Sequence, residues 1–230
     1  MSVEICPSPN HGPRRDGAVP ALVVLHYTAM ATAEAALARL CDPVAEVSAH
    51  YLIAEDGRLF ALVPEAARAW HAGTGSWRGR GDVNSWSVGI ELANPGPLAD
   101  FPPFPEPQMR ALEALLDELR TRWGIGPEAV IGHSDMAPGR KADPGPKFDW
   151  RRLALGGRAV WPEAAAGGGA GGGGKDSFEA AAAAAGYPEG AGGWTDTLDA
   201  VRLRFRPWAR GRSLEPEDVT LLLAAAGRGR

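Results

Sequence analysis

Cysteine is scarce in this chain of 230 residues: Cys6 and Cys41 are the two it has. A secreted scaffold stapled by disulfides carries more, so that class is excluded. Two free thiols are the expected state, with a single bridge as the alternative. Long apolar runs are missing as well. No stretch approaches the roughly 18 apolar residues of a membrane span. Blocks of lysine or arginine are also absent, apart from a loose cluster at Arg202, Arg204 and Arg206, and the net charge is -4. That balance gives no footprint for nucleic acid, and none is expected as a partner. The first residues, MSVEICPSPNHGPRRDG, put Pro, Asn and Gly where a signal peptide needs an apolar run. A cytoplasmic protein is expected on that reading, or a periplasmic one if the chain has been trimmed at its start. No internal repeat is found.

What is present is an ordinary globular balance, 45% hydrophobic and 23% charged residues, interrupted by one composition break. Residues 164 to 174 read AAAGGGAGGGG. Such a run buries no apolar surface and reads as a linker. Residues 1–163 are therefore expected to form one domain, 164–175 the Gly/Ala-rich linker, and 176–230 a small three-helix domain.

The first part alternates strand and helix signals. Strands are expected at 21–25 (ALVVL), 50–54 (HYLIA), 59–63 (LFALV), 87–92 (SVGIEL) and 129–133 (AVIGH). Glu55-Asp56-Gly57-Arg58 marks a tight turn that makes the second and third a hairpin. Thr32 is placed to cap a helix over 32–41. Residues 106–123 form an amphipathic helix, with Met109, Leu112, Leu115, Leu116 and Leu119 on one face and Gly124 beyond its end. The fold class is α/β, a mixed central sheet flanked by helices. In the second part, helices are expected at 176–185, 195–206 and 215–226.

Five histidines are available for chemistry, His11, His26, His50, His71 and His133. His26 and His133 stand at the ends of expected strands, where side chains leave the core for a cleft. Asp143 follows His133 in a loop stiffened by Pro138, Pro144, Gly145 and Pro146. Two imidazoles and a carboxylate are a ligand set for a catalytic zinc. Each residue alone is more commonly an ordinary polar side chain, and the spacing is not a local motif. His11 carries no signal.

The surrounding text is more telling. VVLHYTAM, VSAHYLIAEDGRLF, RAWHAG, SVGIELANPG and IGHSDMAPGRKADPGPKFDW occur in this order. Together they resemble the AmpD and AmiD type of N-acetylmuramoyl-L-alanine amidase, over roughly residues 20 to 155. The resemblance implies a fold shared with peptidoglycan recognition proteins. It implies hydrolysis of the amide between the lactyl group of muramic acid, intact or 1,6-anhydro, and L-alanine of the stem peptide, in peptidoglycan turnover and recycling. It implies one zinc per chain, held by His26, His133 and Asp143, with Glu91 as the catalytic carboxylate and Lys141 as the catalytic lysine. Phage-type relatives carry a tyrosine just before the position of His50. Here that residue is Ala49, which points to the AmpD/AmiD branch. The alternative is a non-catalytic peptidoglycan receptor on the same fold. Such receptors lose a zinc ligand, and here all three are kept.

Weaker expectations concern the substrate. Trp70 and His71 are placed to line the groove, Arg140 to meet a stem-peptide carboxylate, and His50 to shape the site from a neighbouring strand. Asp135 is placed to orient a ligand from behind. The partners are muropeptides or peptidoglycan fragments, and a monomer is expected. The second part resembles the small peptidoglycan-binding-like domain appended to AmiD-type enzymes, through AAAAAGYPEG and RLRFRPW. Every expected catalytic residue lies before the linker, so the tail should be dispensable for chemistry.

Overall fold

The computed structural model describes residues 2–162 and 173–227. The linker reading falls largely on residues 164–172 and lies outside the described residues. Its last residue, Lys175, is already the first of a helix.

In chain order the elements are β1 (Val3–Ile5), β2 (His11–Pro13), β3 (Leu22–Tyr27), α1 (Ala33–Cys41), β4 (Tyr51–Ile53), β5 (Leu59–Ala61), β6 (Ala67–Ala69), α2 (Val83–Trp86), β7 (Ser87–Leu92), α3 (Glu106–Trp123), β8 (Val130–Gly132), α4 (His133–Met136), α5 (Trp150–Leu155), α6 (Lys175–Ala185), α7 (Trp194–Phe205) and α8 (Pro216–Gly227). Six strands form one sheet in the order β1-β5-β4-β7-β3-β8. Its pairs are parallel except the β4–β5 hairpin, so the sheet is mixed, as expected. β2 and β6 form a separate antiparallel pair. Thr32 caps α1, its hydroxyl accepting from the Ala35 N–H at 3.1 Å. Gly124 ends α3 in the left-handed region, at φ 67°.

Side chains alternate across a strand, so each strand feeds two cores. Val23 and Leu25 of β3, with Val88, Ile90 and Leu92 of β7, face the apolar stripe of α3. That stripe is Met109, Leu112, Leu115, Leu116 and Leu119, the set expected from the spacing. Leu22 and Val24 point to the opposite face, with Ile131 of β8. Here the covering layer is the tail. Phe178 of α6, Leu198, Val201 and Phe205 of α7, and Val219 and Leu222 of α8 belong to the same buried cluster as Leu22, Val24, Trp77, Trp86 and Met136.

The three tail helices thus share a core with the sheet rather than standing beside it. A polar contact fixes the docking. Asp135 of α4, fully buried, takes an ion pair from Arg204 of α7 at 2.6 Å and a hydrogen bond from the Tyr187 hydroxyl at 2.8 Å. Its carboxylate also accepts from the Gly132 N–H at 2.8 Å, which holds the start of α4. The Arg204 guanidinium lies over the Trp150 ring, 4.1 Å from its centroid. The dispensable tail expected from the sequence meets a structure in which α6 to α8 close the main core.

Candidate metal centre

The strand register places the site. His26 pairs with Glu91 across the parallel β3–β7 ladder. Leu25 pairs with Gly132 across β3–β8, so His133 follows beside His26. By alternation, His26, Glu91 and His133 emerge on the face that carries Leu22 and Val24, at the carboxyl ends of parallel strands. That end of an open α/β sheet is where ligands bind. Asp143 arrives from the loop beyond α4, clipped back by the Ser134 N–H, which donates to the Asp143 carbonyl at 2.9 Å.

Three atoms converge there. His26 Nδ1 lies 2.9 Å from His133 Nδ1 and 2.8 Å from Asp143 Oδ2, and His133 Nδ1 lies 2.9 Å from the same oxygen. All three residues are buried. His133 Nε2 faces the Ala72 carbonyl at 2.8 Å. A carbonyl only accepts, so that nitrogen carries the proton and Nδ1 is left bare. Burial, with the charge of His133, lowers the pKa of His26 to about 4. Burial works against ionisation of Asp143, but the two imidazoles beside it outweigh that and hold the carboxyl well below its ordinary range. Two imidazoles and a carboxylate crowding their ring nitrogens and oxygen together are what a divalent metal requires, and the donor set fits zinc.

A groove of about 450 Å³ opens over these ligands. Glu91, Lys141, Trp70, His71 and Arg140 line it. Burial pushes the Glu91 carboxyl well above its ordinary range; the Asp143 charge adds to this and Lys141 opposes it. Glu91 Oε2 is buried with no hydrogen-bond partner among the described residues. Lys141 is exposed at the rim. Arg140 braces the wall, donating to the Ala72 carbonyl at 2.7 Å and to the Thr74 carbonyl. His50 is not among the lining residues. It is fully buried, with Nδ1 accepting from the Gly89 N–H at 3.0 Å and Nε2 beside the Ala67 carbonyl at 3.2 Å. Asp135 bonds to the Gly132 N–H and to Tyr187 and Arg204 of the tail rather than to a ligand histidine.

The sequence reading missed Arg39, Met30 and Ser48, which also line the groove. A lone arginine on an exposed helix turn has no pattern to mark it.

Residues 16–146 match the family model described as N-acetylmuramoyl-L-alanine amidase. The chain belongs to the N-acetylmuramoyl-L-alanine amidase family. It is similar to N-acetylmuramoyl-L-alanine amidase AmiD of Escherichia coli, 42% identical over 155 residues, 62% of this chain and 55% of AmiD. The chain therefore spans about half the length of that relative. It is similar to 1,6-anhydro-N-acetylmuramyl-L-alanine amidase AmpD of Citrobacter freundii, 37% identical over 64% of this chain and 86% of AmpD. Among solved structures, the complex of E. coli AmiD with the substrate anhydro-N-acetylmuramic acid-L-Ala-D-gamma-Glu-L-Lys superposes with a TM-score of 0.81 at 33% identity, covering 93% of this chain and 91% of that one. The AmpD/AmiD resemblance and the mixed-sheet fold hold. Among the described residues, no helix is long and apolar enough to cross a membrane.

Proposed function

We propose that this amidase hydrolyses the bond between the lactyl group of N-acetylmuramic acid, or its 1,6-anhydro form, and L-alanine, as a monomer holding one zinc. The observation that carries this is the convergence of His26, His133 and Asp143 under one groove that also holds Glu91 and Lys141. The proposed division is an amidase part at 1–163, a linker at 164–175 and a small peptidoglycan-binding-like helical part at 176–230.

Zinc, when bound, supplies Lewis acidity and lowers the pKa of water from 15.7 to about 7. The chain's own residues do the rest. Glu91, held on β7 beside His26, takes a proton from the attacking water and passes it to the alanine nitrogen as the C–N bond breaks. A carboxyl raised toward neutrality suits both halves of that transfer. Lys141 sets a positive charge at the rim, where the carbonyl oxygen becomes negative. Trp70 and Arg140 shape the wall against which the sugar and peptide rest.

Product analysis with an anhydro-muramyl tripeptide and an intact muropeptide tests the reading. Free tripeptide should appear from the metal-loaded protein and vanish when zinc is stripped. Full turnover in metal-stripped protein would overturn the zinc mechanism. Asp143→Ala should lower zinc affinity sharply, since it removes the only anionic ligand; competition with a chelator measures it. Lys141→Ala should reduce kcat and kcat/KM together by about 10² to 10³, the loss typical of one oxyanion donor. Lys141→Arg should restore only part, because the guanidinium is wider and spreads its charge. An unchanged kcat with a raised KM would reassign Lys141 to substrate binding.

A further inference from the structure

His26 offers the metal its Nδ1, and an imidazole can do so only if its single proton sits on Nε2. The chain contains a device that fixes that choice. His26 Nε2 lies 3.0 Å from His71 Nδ1. On the far side of the His71 ring, Nε2 lies 3.1 Å from the Ser87 hydroxyl oxygen. The Ser87 hydroxyl donates to the Val83 carbonyl at 2.7 Å, which uses its only proton. Toward His71 the serine can therefore only accept. His71 Nε2 must then carry the proton, and His71 Nδ1 is bare. Facing it, His26 Nε2 carries a proton in turn, against the pull of the Asp143 carboxylate 2.8 Å from Nδ1, and leaves Nδ1 to the metal. The direction of the whole series follows from one backbone carbonyl, which cannot donate.

Independent packing holds the His71 ring in place. Its backbone N–H and that of Ala72 both donate to the Asn84 side-chain oxygen, at 3.1 and 2.8 Å. The ring packs against Gly89 of β7, where a Cβ would overlap it. A glycine in mid-strand weakens a sheet unless something needs the space. The His26 and His71 rings meet edge to face, with centroids 5.1 Å apart.

We propose that Val83, Ser87 and His71 form a hydrogen-bond relay that sets the tautomer of His26, with Gly89 making room for it. His71 is then a positioning residue for the metal rather than only a wall of the groove. The proposal rests on the zinc amidase reading.

The test uses the full chain and two readouts that need no substrate. Long-range proton–nitrogen NMR on metal-free protein labelled at histidine reports the tautomer. Competition with a chelator reports zinc affinity. Wild type should show His26 protonated at Nε2. His71→Leu, which has no acceptor, should shift His26 toward the Nδ1 form and weaken zinc by about 10- to 100-fold, as for lost partners of other ligating histidines. His71→Asn, whose side-chain oxygen can stand near the Nδ1 position, should recover most of that affinity. Gly89→Ala should reproduce the loss by displacing the ring. Ser87→Ala, a small change kept in case the larger ones fail to fold, should leave His71 as a mixture of tautomers and weaken zinc by a smaller factor. Unaltered zinc affinity and an unaltered His26 tautomer in His71→Leu or Ser87→Ala would overturn the relay. A wild-type chain that binds no zinc would instead overturn the reading beneath it.

Discussion

Glu91→Gln should lower kcat by at least about 10²-fold, the low end for general acid–base catalysis, while zinc content and KM hold. The amide keeps the shape of the side chain and removes its proton chemistry. Glu91 sits across the ladder from His26 and is not one of the converging ligand atoms, so the metal should stay. Stability should move the other way. The folded-state pKa of Glu91 lies well above its ordinary value of 4.5, because burial disfavours the charged form. The carboxyl therefore costs nothing while it is protonated in both states. The cost appears as pH rises past the ordinary value and grows until the raised folded value is reached. In metal-free protein, Glu91→Gln should thus melt higher than wild type at pH 8, and the gap should shrink toward pH 4.5. Steady-state rates on an anhydro-muramyl tripeptide, elemental zinc and melting curves at the two pH values decide it. Zinc loss in the variant would make Glu91 a ligand, and an unchanged kcat would remove it from the chemistry.

The elements that set the register were legible where the pattern was long. The α3 stripe spans 18 residues, and its five apolar positions all reach the core. β3 and β7 read as strands because both of their faces are buried and the apolar runs are nearly continuous. Elements of three to six residues, such as β1, β2, β6, α2 and α5, are too short to show a period. The metal ligands were legible from the text around them, since His26 lies 107 positions before His133 and meets it and Asp143 only once β3 and β8 pair. His71 was singled out from the sequence, but for the groove. Its bond to His26 depends on Ser87, which opens SVGIEL, and on Gly89 inside it. The glycine there was a usable signal of close approach. The docking of the tail had none. α6 is more than half alanine, and Arg204 in RLRFRPW reads as surface charge until Asp135, 69 positions earlier, is placed against it.

Deleting residues 164–230 should leave a chain that is insoluble or melts far below the full protein. AmpD shows that an amidase of this family can match a shorter chain, so the reason must lie in this chain's own surface. Leu22, Val24, Trp77, Trp86, Ile131 and Met136 all belong to the cluster that α6 to α8 complete. Fully exposing one large apolar side chain costs about 1.5–3 kcal/mol. Asp135 adds a sharper term. Its ion pair with Arg204 is buried on both sides, 4% and 0% exposed, and removing one partner of such a pair costs about 3–5 kcal/mol. Whole domains are stable by only about 5–15 kcal/mol, so the pair and a few uncovered side chains suffice to unfold the remainder. Cutting the chain inside the run from 164 to 174 should do far less, because the helices remain docked through the shared core. The comparison is therefore between deleted and nicked protein, by soluble yield, melting temperature and zinc content. Arg204→Met should fall between them, and adding Asp135→Asn should recover part of its loss by discharging the stranded carboxylate. A soluble protein ending at residue 163 with a cooperative melt near that of the full chain would refute the shared core.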